Sequence, residues 1–241
     1  MNVRWKCTHR KAWVTVGVKV RFMVKSWACR LIVAAALAIS SVPASADGVS
    51  GANGPLRILA LGDSLTAGFG LPAEDAFPAQ LQRNLKAAGI DAVVLNAGVS
   101  GDTTAGGRAR LGWALADKPD AMIVALGAND GLRGLEPAAT EANLDAVLSA
   151  AKQAGVPVLL SGMKAPPNLG AEYGTEFDGL FPRLAEKHGV LFDRFFLEGV
   201  VARPEFNQED GIHPNARGVA KIVERLMPMV RRLALRAAKS L

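Results

Sequence analysis

From residue 56 onward the chain alternates short apolar runs with longer amphipathic stretches, and few architectures accept that rhythm. The runs Arg57–Leu61, Ala92–Asn96, Ala121–Leu126, Val156–Ser161 and Val190–Phe195 have the length and apolar bias of strands covered on both faces. Between them, helical patterning spans about 75–88, 104–116, 136–154 and 174–188, with a last helix over about 215–238. Gly89, Gly155 and Gly189 each follow a helical run, where a C-terminal cap wants a residue tolerant of positive φ. This repeated alternation predicts an α/β fold, a parallel sheet with helices on both faces. Ligands of such sheets bind beyond the carboxyl ends of the strands, so the loops after each strand are where chemistry is expected.

The segment before residue 47 is of another kind. Eight of the 28 Lys and Arg residues lie within residues 1–46, and none of the 22 Asp and Glu residues. A largely apolar run of 12 residues, Leu31–Val42, follows the last of these cations, and Ala44-Ser45-Ala46 comes after it. A basic region, a short apolar region and a small-x-small site, in that order, predict a secretory signal peptide cleaved after Ala46. In helical form the run reaches only about 18 Å, short of the roughly 30 Å hydrocarbon core, so no stable membrane span is expected. Met23–Arg30 would make a basic region of ordinary size, which reads residues 1–22 as a start-site artefact or an untypical extension. Residues 47–55, rich in Gly, Ser, Ala and Asn, read as a flexible lead-in.

This division decides what the composition means. The formal charge of +6 invites a nucleic-acid or membrane reading. Beyond residue 46, however, 20 basic groups face 22 acidic ones, a net charge of −2 with histidine neutral. Cys7 and Cys29 both fall within the leader, so cysteine nucleophiles, disulfides and cysteine–metal sites are excluded for the remainder. The exported product is expected to be periplasmic or secreted.

Small and polar residues collect in the loops after the strands: Gly62-Asp63-Ser64-Leu65-Thr66, Gly98-Val99-Ser100-Gly101-Asp102, Gly127-Ala128-Asn129-Asp130-Gly131 and Asp210-Gly211-Ile212-His213. Each has a bland reading by itself. Ser64 could cap a helix, Gly101 could serve a turn, and Asn129 beside Asp130 and Gly131 is ordinary turn chemistry. His188 ends a helical run, where a cap role is natural. That leaves His213 as the main candidate for proton transfer near neutral pH. Ester hydrolysis by a serine needs a base, a group that orients the base, and donors for the developing oxyanion. Ser64, His213, Asp210, the Gly101 N–H and the Asn129 amide can supply all of these from four loops on one edge.

GDSLTAGFG, NAGVSGDTTAGG, ALGANDGLRG and DGIHPNARG, in that order, resemble the four sequence blocks of the SGNH (GDSL-type) hydrolases. The likeness covers nearly all of residues 56–241, in particular to the bacterial periplasmic thioesterase I/lysophospholipase and arylesterase group. It implies a flavodoxin-like three-layer sandwich with a five-stranded parallel sheet, and a serine esterase acting on acyl or aryl esters, thioesters or lysophospholipids. It further implies Ser64 as nucleophile, His213 as base, Asp210 as its orienter, and an oxyanion hole of the Ser64 and Gly101 N–H groups and the Asn129 side chain. Leu132, Leu135, Pro166 and Leu169 would line the acyl groove, and Gly131-Leu132-Arg133-Gly134 would form a loop that moves on substrate binding. The alternative enzyme reading is a carbohydrate O-deacetylase with the same catalytic set. The second glycine of a G-x-S-x-G elbow is missing around Ser64, which sets the chain apart from the commoner serine esterase fold.

Other patterns lead nowhere. Ser161-Gly162-Met163-Lys164 fits S-x-x-K but lacks the Ser-Asp-Asn and Lys-Thr-Gly partners. Gly107-Arg108 stands where a phosphate loop needs Lys-Ser/Thr. No H-E-x-x-H occurs, and no metal or other cofactor is expected. Arg225, Arg231, Arg232, Arg236 and Lys239 read as a solvated helix face, with weak contact to anionic lipid surfaces as the alternative. The expected partner is a small-molecule ester bound by a monomer, with no nucleic acid.

Overall fold

The computed structural model describes the backbone of residues 12–16, 20–24 and 54–240. Within the first 46 residues, β1 (Ala12–Val16) and β2 (Val20–Val24) pair antiparallel, Ala12 opposite Val24 and Val16 opposite Val20. The apolar run Leu31–Val42, the expected cleavage site at Ala46 and residues 47–53 of the lead-in lie outside the described residues.

The second unit is built on a five-stranded sheet of β3 (Leu56–Gly62), β4 (Ala92–Gly98), β5 (Ala121–Ala125), β6 (Val158–Ser161) and β7 (Leu191–Asp193). Its order is β4-β3-β5-β6-β7 and every pairing is parallel. Each residue of β5 and β6 is buried, and β3 is exposed only at Arg57, which is why these strands read as unbroken apolar runs. A fully buried Leu, Ile or Val side chain contributes roughly 1.5–3 kcal/mol, and Ile58, Leu59, Leu61, Ile123, Val124, Leu159 and Leu160 form the middle of that core.

The helices are α1 (Ser64–Ala67), α2 (Phe77–Ala87), α3 (Thr104–Ala116), α4 (Ala128–Leu132), α5 (Pro137–Gln153), α6 (Ala171–His188) and α7 (Ala216–Ser240). The chain runs from β3 outward to β4, then crosses back over β3 to β5 and continues to β7. Right-handed crossovers with that reversal put α2 on one face of the sheet and α3, α5 and α6 on the other. The packing agrees: α2 lies against α7, while α3, α5 and α6 pack in series. One face of α7, at Val219, Ile222, Val223, Leu226, Val230 and Leu233, is buried at helical spacing. The result is the expected flavodoxin-like three-layer sandwich. Its reversal of direction falls between β3 and β5, the position beyond whose strand ends such sheets bind ligands.

Gly89, Gly155 and Gly189 have φ of 77°, 72° and 65°, as their capping positions require. Other expectations shift. The last strand stops at Asp193, whose buried carboxylate accepts from Ser161 Oγ and from both ends of the Arg225 guanidinium. Arg225 therefore does not belong to a solvated face, since it also donates to the Phe195 and Phe196 carbonyls at 2.9 Å. His188 is no simple cap: its Nε2 meets Asp145 Oδ1 at 2.7 Å and ties α6 to α5. Among the described residues no helix is long and apolar enough to cross a membrane.

Candidate active site

At the end of β3 the chain enters α1, a single helical turn too short to show apolar periodicity. Asp63, not Ser64, is its N-cap: Asp63 Oδ1 accepts the Leu65 N–H at 3.0 Å. This relieves Ser64 of the capping role and leaves its hydroxyl for another partner. The Ser64 Oγ lies 3.0 Å from His213 Nε2, although 149 residues separate them. On the other side of the ring, His213 Nδ1 meets Asp210 Oδ2 at 2.6 Å. A proton on Nδ1, donated to the carboxylate, leaves the Nε2 lone pair facing the serine.

The Asp210 loop is shaped for this. Asp210 Oδ1 accepts the backbone N–H groups of Ile212 at 2.9 Å and His213 at 3.0 Å, a local turn that an aspartate favours. The His213 N–H and ring together with the Ile212 N–H pull the Asp210 carboxyl down to about 2. It is thus ionised throughout the range in which a histidine can act as base.

Two further loops complete the edge. Gly101 sits at φ 80°, a left-handed conformation suited to glycine. Among the described residues neither the Gly101 N–H nor the Ser64 N–H has a hydrogen-bond acceptor. Asn129 lies in α4, the single turn after β5, where a plain turn was expected. Its amide donates to the Asp102 carbonyl at 2.9 Å and approaches Asp63 Oδ2 at 3.4 Å. Next to it, buried Asp130 accepts from the Thr104 N–H at 2.9 Å and from the Thr140 hydroxyl at 3.3 Å. These bonds fix α4 against α3 and α5, and so place Asn129.

Asp63 has no sequence signal beyond its place before Ser64, yet it is fully buried. Burial pushes its carboxyl up to about 7, against the Leu65 N–H and the His213 charge, which pull it down. With a folded value above the unfolded one, the native state binds the extra proton between roughly pH 4 and 7. Stability should therefore fall as pH rises from about 4 to 7 and level off above that. Asp63→Asn, which keeps an oxygen for the Leu65 N–H, should flatten that fall. Thermal melts from pH 5 to 9 check this; parallel curves for the two proteins would contradict it.

Several contacts escaped the sequence reading. Phe69 packs on the His213 ring with centroids 4.7 Å apart. Gln208 donates to the Phe69 carbonyl at 2.7 Å and the Pro214 carbonyl at 3.0 Å, lacing the histidine loop to the serine loop. Gly70 makes room for this, because a Cβ there would stand 2.2 Å from Gln208 Oε1. The suggested lining residues cluster around one loop. Leu132 and Leu135 are exposed at and after the end of α4. Pro166 and Leu169 stand within van der Waals reach of a side chain built at Gly131 and Gly134, respectively. Tyr173 Oη donates to the Leu135 carbonyl at 2.7 Å and anchors the loop's far end. Ser161 and Lys164 make no site: Ser161 is bound to Asp193, and the Lys164 ammonium lies over the Phe195 ring. Among the described residues no cluster of His, Cys, Asp and Glu could hold a metal ion.

Residues 60–221 match the model of the GDSL-like Lipase/Acylhydrolase family. An arylesterase of Vibrio mimicus is 41% identical over 169 residues, 70% of this chain and 84% of that protein. Thioesterase 1/protease 1/lysophospholipase L1 of Escherichia coli is 41% identical over 159 residues, 66% of this chain and 75% of that protein. The crystal structure of AlinE4, an SGNH-hydrolase family esterase, superposes with a TM-score of 0.64 at 49% identity, covering 74% of this chain and 96% of that one. The chain belongs to the GDSL-like lipase/acylhydrolase family of carboxylic ester hydrolases.

Proposed function

We propose that this protein hydrolyses acyl and aryl esters through an acyl-enzyme on Ser64, and that thioesters and lysophospholipids fall within its range. The observation that carries the reading is the continuous Ser64–His213–Asp210 hydrogen-bond chain. His213 Nε2 takes the Ser64 proton as Oγ attacks the carbonyl carbon. The oxyanion that forms is met by the Ser64 and Gly101 N–H groups and the Asn129 amide. Collapse breaks the bond to the leaving alcohol, phenol or thiol, which receives the proton from His213. Water then attacks the acyl-enzyme with His213 again as base; the bond between Ser64 Oγ and the acyl carbon breaks, Oγ recovers its proton from His213, and the carboxylic acid leaves.

The loops that hold these groups also carry exposed apolar side chains: Phe69, Val99, Leu132, Leu135 and Ile212. Such a rim favours acyl or aryl groups with apolar surface over a polar sugar. Each further buried CH2 contributes about 0.8 kcal/mol, roughly fourfold in kcat/KM. An ester series from acetyl to palmitoyl, with a lysophospholipid and an acetylated sugar alongside, tests this. The expected result is a rise in kcat/KM beyond acetyl and little turnover of the sugar. A steep preference for acetyl together with rapid deacetylation of the sugar would overturn it. We read residues 1–46 as an export leader and the catalytic unit as periplasmic or secreted, consistent with the charge and apolar order of that segment.

A further inference from the structure

Arg110 lies in α3, outside all the motifs that mark the site, and its half-buried guanidinium reaches into the junction of three loops. Its Nε donates to Asp102 Oδ2 at 2.7 Å, and its Nη2 donates to the Gly62 carbonyl at 2.9 Å. Gly62 is the last residue of β3, two before Ser64. Asp102 follows Gly101, and its carbonyl accepts the Asn129 amide at 2.9 Å. One side chain thus ties the strand that delivers the serine to the turn that offers the Gly101 N–H and holds Asn129. On its outer side the same turn is held by Arg133, whose Nη2 donates to the Gly101 carbonyl at 2.8 Å.

We infer that Arg110 is a positioning residue for the oxyanion hole, setting the Gly101 N–H and the Asn129 amide in register with Ser64 through Asp102 and the Gly62 carbonyl. It touches none of the reacting atoms and acts through the backbone of both loops. The role needs arginine specifically. A planar fork bridges two acceptors at a fixed separation, whereas a lysine ammonium is a single point on a flexible stem. Donors that must meet an oxyanion tolerate little displacement, and misplacement by about 1 Å can cost on the order of 100-fold in rate.

This inference rests on the reading of Ser64 as nucleophile, and its test is arranged around that. Arg110→Lys, Arg110→Met and Asp102→Asn are assayed with a p-nitrophenyl ester, each normalised to active sites by the phenolate burst. The expected result is a loss of about 10- to 100-fold in kcat with KM within about threefold. Affinity for a boronic acid that mimics the tetrahedral anion should fall in the same proportion. The double variant Arg110→Met with Asp102→Asn should lose little more than either single one, because both changes release the same turn. A kcat per active site within twofold of the parent, or a loss confined to melting temperature and active fraction, would overturn the inference. Should Arg110→Met fail to fold, Asp102→Asn and Arg110→Lys decide it by the same readouts. Ser64→Ala, run in parallel, keeps the two claims apart: activity surviving that change overturns the nucleophile assignment, whereas unaltered Arg110 variants beside an inactive Ser64→Ala overturn only the positioning role.

Discussion

Ser64→Ala is expected to lower kcat for p-nitrophenyl esters by roughly 10⁴- to 10⁶-fold, with folding unchanged. The size follows from the division of labour in the site. Without the Oγ there is no covalent intermediate, and His213 has no proton to accept from the protein. What survives is the smaller acceleration that an oxyanion hole and a bound substrate give to attack by water. Ser64 is only part-buried, and among the described residues its side chain makes one hydrogen bond, to His213. Losing a bond of that kind costs about 1 kcal/mol of stability, so the melting temperature should move little. Substantial residual turnover with an unchanged pH dependence would mean that another group carries the reaction.

Asn129→Ala should lower kcat by roughly 10²- to 10³-fold, the usual effect of removing one preorganised oxyanion donor. Asn129 is held by the Asp102 carbonyl before any substrate arrives, so its orientation is settled in the resting protein. An interaction made only in the transition state lowers kcat and kcat/KM together and leaves KM nearly alone. That pattern separates the role from ground-state binding, for which KM would rise at constant kcat. An unchanged kcat would remove Asn129 from the hole.

The two parts of the molecule that sequence reads best are its sheet and its loops. Strands β3, β5 and β6 are buried on both faces, so their apolar runs are unbroken and stand out from the amphipathic helices between them. The residues on the strand-end loops are legible for the opposite reason: Gly101, Asn129, Asp210 and His213 are small or polar groups with no packing duty to explain them. What stays hidden depends on contacts between distant positions. Arg110 meets Gly62 across 48 residues, and Gln208 meets Phe69 across 139. On α3 and on the Asp210 loop these side chains look like any solvated polar residue. Arg225 shows the same limit from the other direction, since its neighbours on α7 suggest solvent while Asp193 draws it inward. The helix-capping alternative for Ser64 was open in sequence because Asp63 and Ser64 are both good caps. Only the bond from Leu65 to Asp63 decides between them.

The most direct measurement is to react the protein with an organophosphonate ester reagent and locate the adduct by peptide mass spectrometry. The expected result is one phosphonyl group per molecule on the peptide containing Ser64, with activity lost in step with labelling. Asp210→Ala and His213→Ala should label far more slowly. An adduct on any other residue, or full activity with Ser64 labelled, would contradict the assignment of Ser64 as the nucleophile.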